Sequence, residues 1–173
     1  MSSLKRITTD FNEQEDRITI SGLTERDQTV VLLLTMRLAN RLIKHCLSIL
    51  EKHISASEGV SASDEGSRKR VQNFIQKSAE QETPQETAVK IANKSPKHLI
   101  IEIDIKNVST GVTLKFKEEF GTYYEIFLNN HQLRQWLGML HTIWQKTEWP
   151  VEIWPDWMGK DQFQPPQGEI SLH

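Results

Sequence analysis

The clearest hydrophobic periodicity lies in the second half of the chain. Leu99, Ile101, Ile103 and Ile105 alternate with Ile100, Glu102 and Asp104, and Val112, Leu114 and Phe116 alternate with Thr113, Lys115 and Lys117. Tyr124, Ile126 and Leu128 repeat the pattern against Tyr123, Glu125 and Phe127. A period of two puts one set on a buried face and the other in solvent, which predicts three half-buried strands. Turn-forming residues separate them at 107–111 and 118–121, so the strands form an antiparallel meander. Keeping the apolar residues on one face sets Ile103 against Leu114 and Leu114 against Ile126. The same register lines up Glu102, Lys115 and Glu125 on the outer face, where opposite charges contribute ~0.2–1 kcal/mol per pair.

The period then changes. Asn129 or Asn130 is a good N-cap, with Gln132 three residues after Asn129 to close a capping box. Leu133, Trp136, Leu137, Leu140, Ile143 and Trp144 recur at helical spacing, so a Trp-rich helix covers the sheet.

Near the N-terminus, Ile18 and Ile20 alternate with Arg17 and Thr19 up to Gly22. This predicts a strand that the piece around Ile7 can join as a hairpin through 12–16. Thr24 then reads as an N-cap, with Glu25 and Asp27 in a first helical turn. Val31, Leu34, Leu38, Leu42, Cys46 and Ile49 form one stripe at spacings of three and four. Leu32, Leu33, Ile43, Leu47 and Leu50 widen it, and no Gly or Pro interrupts 25–54. The prediction is one long helix of roughly 45 Å, buried on more than one side.

Residues 55–67 are small and polar, a flexible insert. Residues 68–80 are helical, with only Val71, Phe74 and Ile75 to bury. Thr83, Pro84 and Glu86 make a capping signal for a short helix ending before Pro96. No internal repeat is visible.

The expected fold is therefore α+β. An antiparallel sheet, the C-terminal meander plus an N-terminal strand or hairpin, packs against a long N-terminal helix and the Trp-rich helix. Residues 1–158 form a single domain with the insert at about 55–67, and 159–173 form a disordered tail.

Composition narrows the function. The chain has 173 residues, 37% hydrophobic, with a net charge of −2, and a mean hydropathy of −0.51. No global basic field draws it to nucleic acid or anionic lipid. The longest apolar run, 30–34, is far short of a membrane span. The first residues do not resemble a signal peptide, and Cys46 is the only cysteine, so the expected location is cytoplasmic.

Candidate chemistry is sparse. All five tryptophans fall between 136 and 157. Trp136 and Trp144 belong to the helical stripe, whereas Trp149, Trp154 and Trp157 sit beside Pro150 and Pro155. These three form either an extra edge strand at 151–154 packed on the domain or a protein-binding patch, since Trp is enriched at interface hot spots. Arg37, Arg41 and Lys44 line one side of the long helix, either as a solvated face or as an anion or nucleic-acid site. Cys46 and His53 stand two helical turns apart, too far for direct catalysis.

His131 and His141 have no metal-ligand spacing, and Glu102 and Asp104, paired on an outward face, have lysines beside them to neutralise them. The glycines form no phosphate loop, so no cofactor or metal is implied. In size, mild acidity and a small helix-flanked sheet the chain is loosely similar to small bacterial secretion chaperones, an analogy of architecture. The overlong apolar helix, the Trp/Pro tail and the lack of a catalytic set are what point to a self-associating, partner-binding protein. The expected function is a non-catalytic interaction, assembly or adaptor protein, with a protein partner or a second copy as ligand and Trp149, Trp154 and Trp157 as contacts. An anion or nucleic-acid module, and an enzyme whose site is gathered from distant residues around His131 or His141, are the alternatives.

Overall fold

Two runs of three strands, each followed by a helix, make up most of the chain in the computed structural model, which describes residues 1–57, 65–82, 87–92 and 94–159. The first run is β1 (Ser2–Asn12), β2 (Arg17–Thr24), β3 (Thr29–Leu34) and α1 (Met36–Ser57). After α2 (Glu65–Gln81), the second run is β4 (Lys97–Val108), β5 (Gly111–Glu118), β6 (Tyr123–Asn129) and α3 (Asn130–Trp144). A 3-10 turn, Asp156–Met158, closes the described chain.

Within each run the strands are antiparallel. Between runs they are parallel: β3 lies beside β4 and β6 beside β1, so six strands close into a mixed barrel. This overturns the expected antiparallel sheet packed against the helices. Alternation and turn residues specify local hairpins, but the seams join strands far apart in sequence and leave no local mark. Among the described residues no helix is long and apolar enough to cross a membrane.

The long N-terminal helix is also overturned. Asp27 sits at φ 59, a left-handed conformation that ends any helix there. Thr24 does cap, but it caps a turn: its hydroxyl accepts the Gln28 N–H at 3.1 Å. The apolar run 30–34 is then strand β3, and α1 begins after Thr35, whose hydroxyl accepts the Leu38 N–H at 3.3 Å. A short continuous apolar run fits a buried strand as well as a helix, and here β-branched Val30 and Val31 follow a turn.

The registers show that the two runs are structural copies. Thr9, Ile20 and Leu32 form one cross-strand row, and Ile105, Leu114 and Ile126 form its counterpart. Counterparts differ by 96 in the first strand and by 94 from the second strand onward. The β1–β2 loop has four residues (13–16) and the β4–β5 loop two (109–110), which accounts for the difference of two. Both first strands carry a bulge at the same place, between Leu4 and Arg6 and between Ile100 and Glu102. Both second turns contain a positive φ, at Asp27 and Gly121.

Helical burial follows the same correspondence. Ala39, Leu42, Ile43, Cys46, Ile49 and Leu50 match Leu133, Trp136, Leu137, Leu140, Ile143 and Trp144, and all are buried. The seams break the symmetry slightly, with Leu32 beside His98 but Tyr124 beside Ser2, a displacement of two residues. Ile18, Ile20, Leu32, Leu34, Val112, Leu114 and Phe116 from the strands share one core with α1 and α3.

The meander keeps Leu114 opposite Ile126 and Lys115 opposite Glu125 as expected. On β4 the register is two residues away: Ile105, not Ile103, faces Leu114, and Glu102 faces Lys117. A shift of two preserves the face, so alternation alone does not distinguish the two. The bulge also reverses the strand locally, burying Ile100 and exposing Ile101.

Helix α2 buries Gln72, Asn73, Gln76 and Ala79 and leaves Phe74 exposed, the reverse of its apolar content. The flexible-insert expectation falls mainly on 58–64, outside the described residues; residues 55–57 end α1 and 65–67 begin α2. The capping signal at 83–86 and the tail at 160–173 are likewise outside them. Residues 87–92 are not helical.

Candidate functional site

Each seam is short. Three residue pairs join β3 to β4 and two join β6 to β1. Beyond the seam, the first strand of one run continues beside the helix of the other. Two grooves result. The first lies between α1 and β4, lined by Leu38, Arg41, Leu42 and His45 on the helix and residues 101–105 on the strand. The second lies between α3 and β1, where Gln132, Gln135, Trp136 and Met139 face residues 5–9. These linings are counterparts position by position: 38, 41, 42 and 45 become 132, 135, 136 and 139, and 101–105 become 5–9.

One groove is covered by the chain itself. The segment 87–89 crosses the α3–β1 groove, where Arg6 Nη1 donates to Thr87 Oγ1 at 3.2 Å and Val89 N donates to Thr8 Oγ1 at 2.8 Å. Val89 is buried, and Thr87 and Ala88 line the residual cleft of about 270 Å³. Gln135 holds the upstream end, its Nε2 donating to the carbonyls of Ala79 and Glu82.

The other groove has no such cover among the described residues. It is a cleft of about 370 Å³, and Ile101 on its rim is 53% exposed. Past the seam, β4 pairs only with β5 among the described residues, so its other edge presents backbone groups that none of them pairs.

The electrostatics of the two grooves differ. Glu102 and Asp104 stand where the covered groove has Arg6 and Thr8. Lys117 Nζ donates to Glu102 Oε2 at 3.0 Å, and this bond, followed by Tyr123, raises the lysine pKa. Among the described residues Asp104, whose cross-strand neighbour is Lys115, makes no ion pair or hydrogen bond through its side chain. Across from it, Arg41 replaces Gln135 and is exposed.

No family model, curated protein or solved structure matches the chain. What the molecule can do is therefore read from its own geometry.

The tryptophans singled out in the sequence lie largely inside. Trp149 and Trp157 are 6% and 2% exposed, and Trp154 is half-buried. Trp144 anchors two of them, with ring centroids 4.9 Å from Trp149 and 5.9 Å from Trp154. Trp149 Nε1 donates to Asp16 at 2.7 Å and Trp157 Nε1 to Glu51 at 3.2 Å. Residues 151–154 form a turn, not a strand, closed by Trp154 N to Val151 O.

Arg37, Arg41 and Lys44 are all exposed on α1, and only Arg41 reaches the groove. His131 lies 3.5 Å from Glu82 and hydrogen-bonds Gln135, His141 packs at a tilt against Trp154, and neither lines either groove. Cys46 is fully buried, and burial pushes its thiol up to about 12. Among the described residues no three His, Cys, Asp or Glu side chains gather as metal ligands.

Two polar clusters escaped sequence reasoning. Glu118 is buried and accepts the backbone N–H groups of Phe120 and Thr122 at 2.9 and 2.6 Å. Its carboxyl lies 3.7 Å from His98 Nδ1, whose Nε2 meets Tyr124 Oη at 3.0 Å. Burial, the largest influence on Glu118, opposes its charge; the Phe120 and Thr122 hydrogen bonds and His98 outweigh it and hold its pKa low. Burial, then Glu118, raises Tyr124.

The second cluster joins α2 to α3. Arg134 Nη2 donates to Gln72 Oε1 at 2.8 Å, and Gln76 Nε2 to Arg134 O at 2.9 Å, while burial lowers the guanidinium to about 10. Glu118 is the last residue of its strand, where it reads as a turn, and the glutamines of α2 read as solvated. Only the outward acid pair Glu102 and Asp104 was visible beforehand.

Proposed function

We propose that this is a non-catalytic interaction protein that binds a partner polypeptide across the face formed by α1 and β4. One observation carries the reading: of two equivalent grooves, one is covered by the segment 87–89 and the other has no cover among the described residues. Apolar surface and an unpaired strand edge side by side are the ingredients by which sheets recruit extended peptides.

The tail tryptophans serve this function by holding the core that positions α1 and α3, because most of their surface is spent internally. The contact surface moves to Leu38, Arg41, Ile101, Ile103 and Asp104. Panning a displayed random-peptide library on the folded chain tests the reading, with Ile101→Glu as the counter-selected variant and Phe120→Glu as a surface control. Peptides that need Ile101 but tolerate the loss of Phe120 are expected. No enrichment, or enrichment indifferent to Ile101, would overturn the reading.

A further inference from the structure

The covered groove works as a template for what the bare one accepts. In the template the occupant is the segment Thr-Ala-Val, outside any helix or strand, whose aliphatic third residue is buried. Two of its polar groups are recognised from β1: the Thr87 hydroxyl accepts from Arg6, and the Val89 N–H donates to Thr8. Carrying both positions to β4 changes the chemistry in one direction. Arg6, a donor, becomes Glu102, an acceptor. Thr8, a neutral acceptor, becomes Asp104, a charged acceptor with no side-chain partner among the described residues.

We infer, resting on the interaction reading above, that the α1–β4 groove selects an extended segment of a partner protein with a basic residue two positions before an aliphatic one. The aliphatic side chain sits against Leu38, Leu42 and Ile103, the apolar part of the groove's lining. Its backbone N–H meets Asp104, forming a charge-assisted bond in place of the neutral one at Thr8. The preceding lysine or arginine reaches Glu102, sharing that carboxylate with Lys117. Arg41 stands where Gln135 donates to the Ala79 and Glu82 carbonyls, and offers the same service to the segment's upstream backbone. An acidic residue in place of the basic one would meet Asp104 and a Glu102 that Lys117 alone offsets.

Three capped hexapeptides test this by titration into isotope-labelled full-length protein, with amide shifts read at Leu38, Arg41 and residues 101–105. They are the chain's own Thr-Ala-Val-Lys-Ile-Ala, a basic form beginning Lys-Ala-Val-Lys, and an acidic form beginning Glu-Ala-Val-Glu. The basic peptide should shift the groove amides and bind at least about tenfold more tightly than the acidic one. Asp104→Lys, an exposed change, should erase or invert that preference. Ile101→Asp should weaken every peptide, and tryptophan fluorescence would check that both variants keep the fold.

Equal binding of basic and acidic peptides at the groove would overturn the charge rule and leave the interaction reading standing. Absence of groove shifts with every peptide would overturn the inference too. If the library also yields nothing dependent on Ile101, the interaction reading falls with it.

Discussion

The first βββα unit and the second share one backbone plan and almost no sequence. Over 17–50 and 111–144, identical residues occur only at Thr19/Thr113, Glu25/Glu119, Leu34/Leu128 and Ile49/Ile143. What they share is burial: a counterpart is small in one and large in the other, yet both face inward. Cores accept such exchanges when volume is balanced elsewhere. The pair Leu50 and Trp144 shows where the balance goes. Leu50 ends its stripe beneath α2, with Gln72 Nε2 donating to its carbonyl at 3.1 Å. Trp144 fills the same place and also carries the C-terminal segment, through the Trp149 and Trp154 rings and an Nε1 bond to Pro150 O at 3.0 Å.

This difference predicts unequal losses. Trp144→Ala should cost about 3–5 kcal/mol and Leu50→Ala about 2–4, within the range for large buried side chains. The excess at Trp144 reflects the carbonyl and rings it leaves without a partner. Urea unfolding of both variants measures the two values directly. A Leu50→Ala loss equal to or larger than the tryptophan's would end the claim that the second unit anchors the tail.

How much of this was legible depends on distance along the chain. The meander, the Asn129 capping box and the inward stripe of α3 are local patterns, and the structure has them all. The β1–β2 hairpin, built through 12–16, was legible for the same reason. The 30–34 strand was not, because five consecutive apolar residues carry no period, and α1 continues them with a helical one. The duplication was hidden because its signal lies in burial and turn geometry: Asp27 and Gly121 share a conformation without sharing a residue type. The grooves were harder still, since each is lined by the helix of one unit and the first strand of the other. Glu102 and Asp104 were visible as an outward acid pair, but nothing in the sequence placed Arg41 across from them.

The ends of β2 and β5 offer a second, smaller contrast. Thr24 and Glu118 occupy one position, and each accepts an N–H from the turn that follows. Only Glu118 titrates. Its folded pKa lies below the ordinary 4.5, so its contribution to stability is present above that value. The contribution is lost as pH falls from 4.5 through the lowered folded pKa, because the unfolded chain takes up the proton first. Unfolding free energy of the parent chain should therefore drop over this acid window, and Glu118→Gln should flatten the drop. Thr24→Ser should leave the profile's shape unchanged. Parallel acid profiles for the parent and Glu118→Gln would show that this carboxylate is not held ionised by its turn.

The finest test separates conformation from residue type. Asp27 at φ 59 and Gly121 at φ 89 are the third residues of matching turns, closed by Asp27 N to Thr24 O and by Gly121 N to Glu118 O, each at 3.0 Å. A side chain at such a φ costs about 1–2 kcal/mol, less for aspartate than for most residues. Gly121→Ala should therefore destabilise by about 1 kcal/mol, although space around it is open and nothing lies within 4 Å of an added Cβ. Asp27→Gly should relieve strain and in the same step remove the exposed Lys5–Asp27 ion pair, itself worth about 0–1 kcal/mol. The two effects nearly cancel, leaving a net change within about 0.5 kcal/mol of zero. Repeating Asp27→Gly in a Lys5→Met background removes the ion pair from the comparison, and the substitution should then stabilise the chain. If it still destabilises, the first turn depends on the aspartate side chain, and the two units are alike in shape but not in what holds them there.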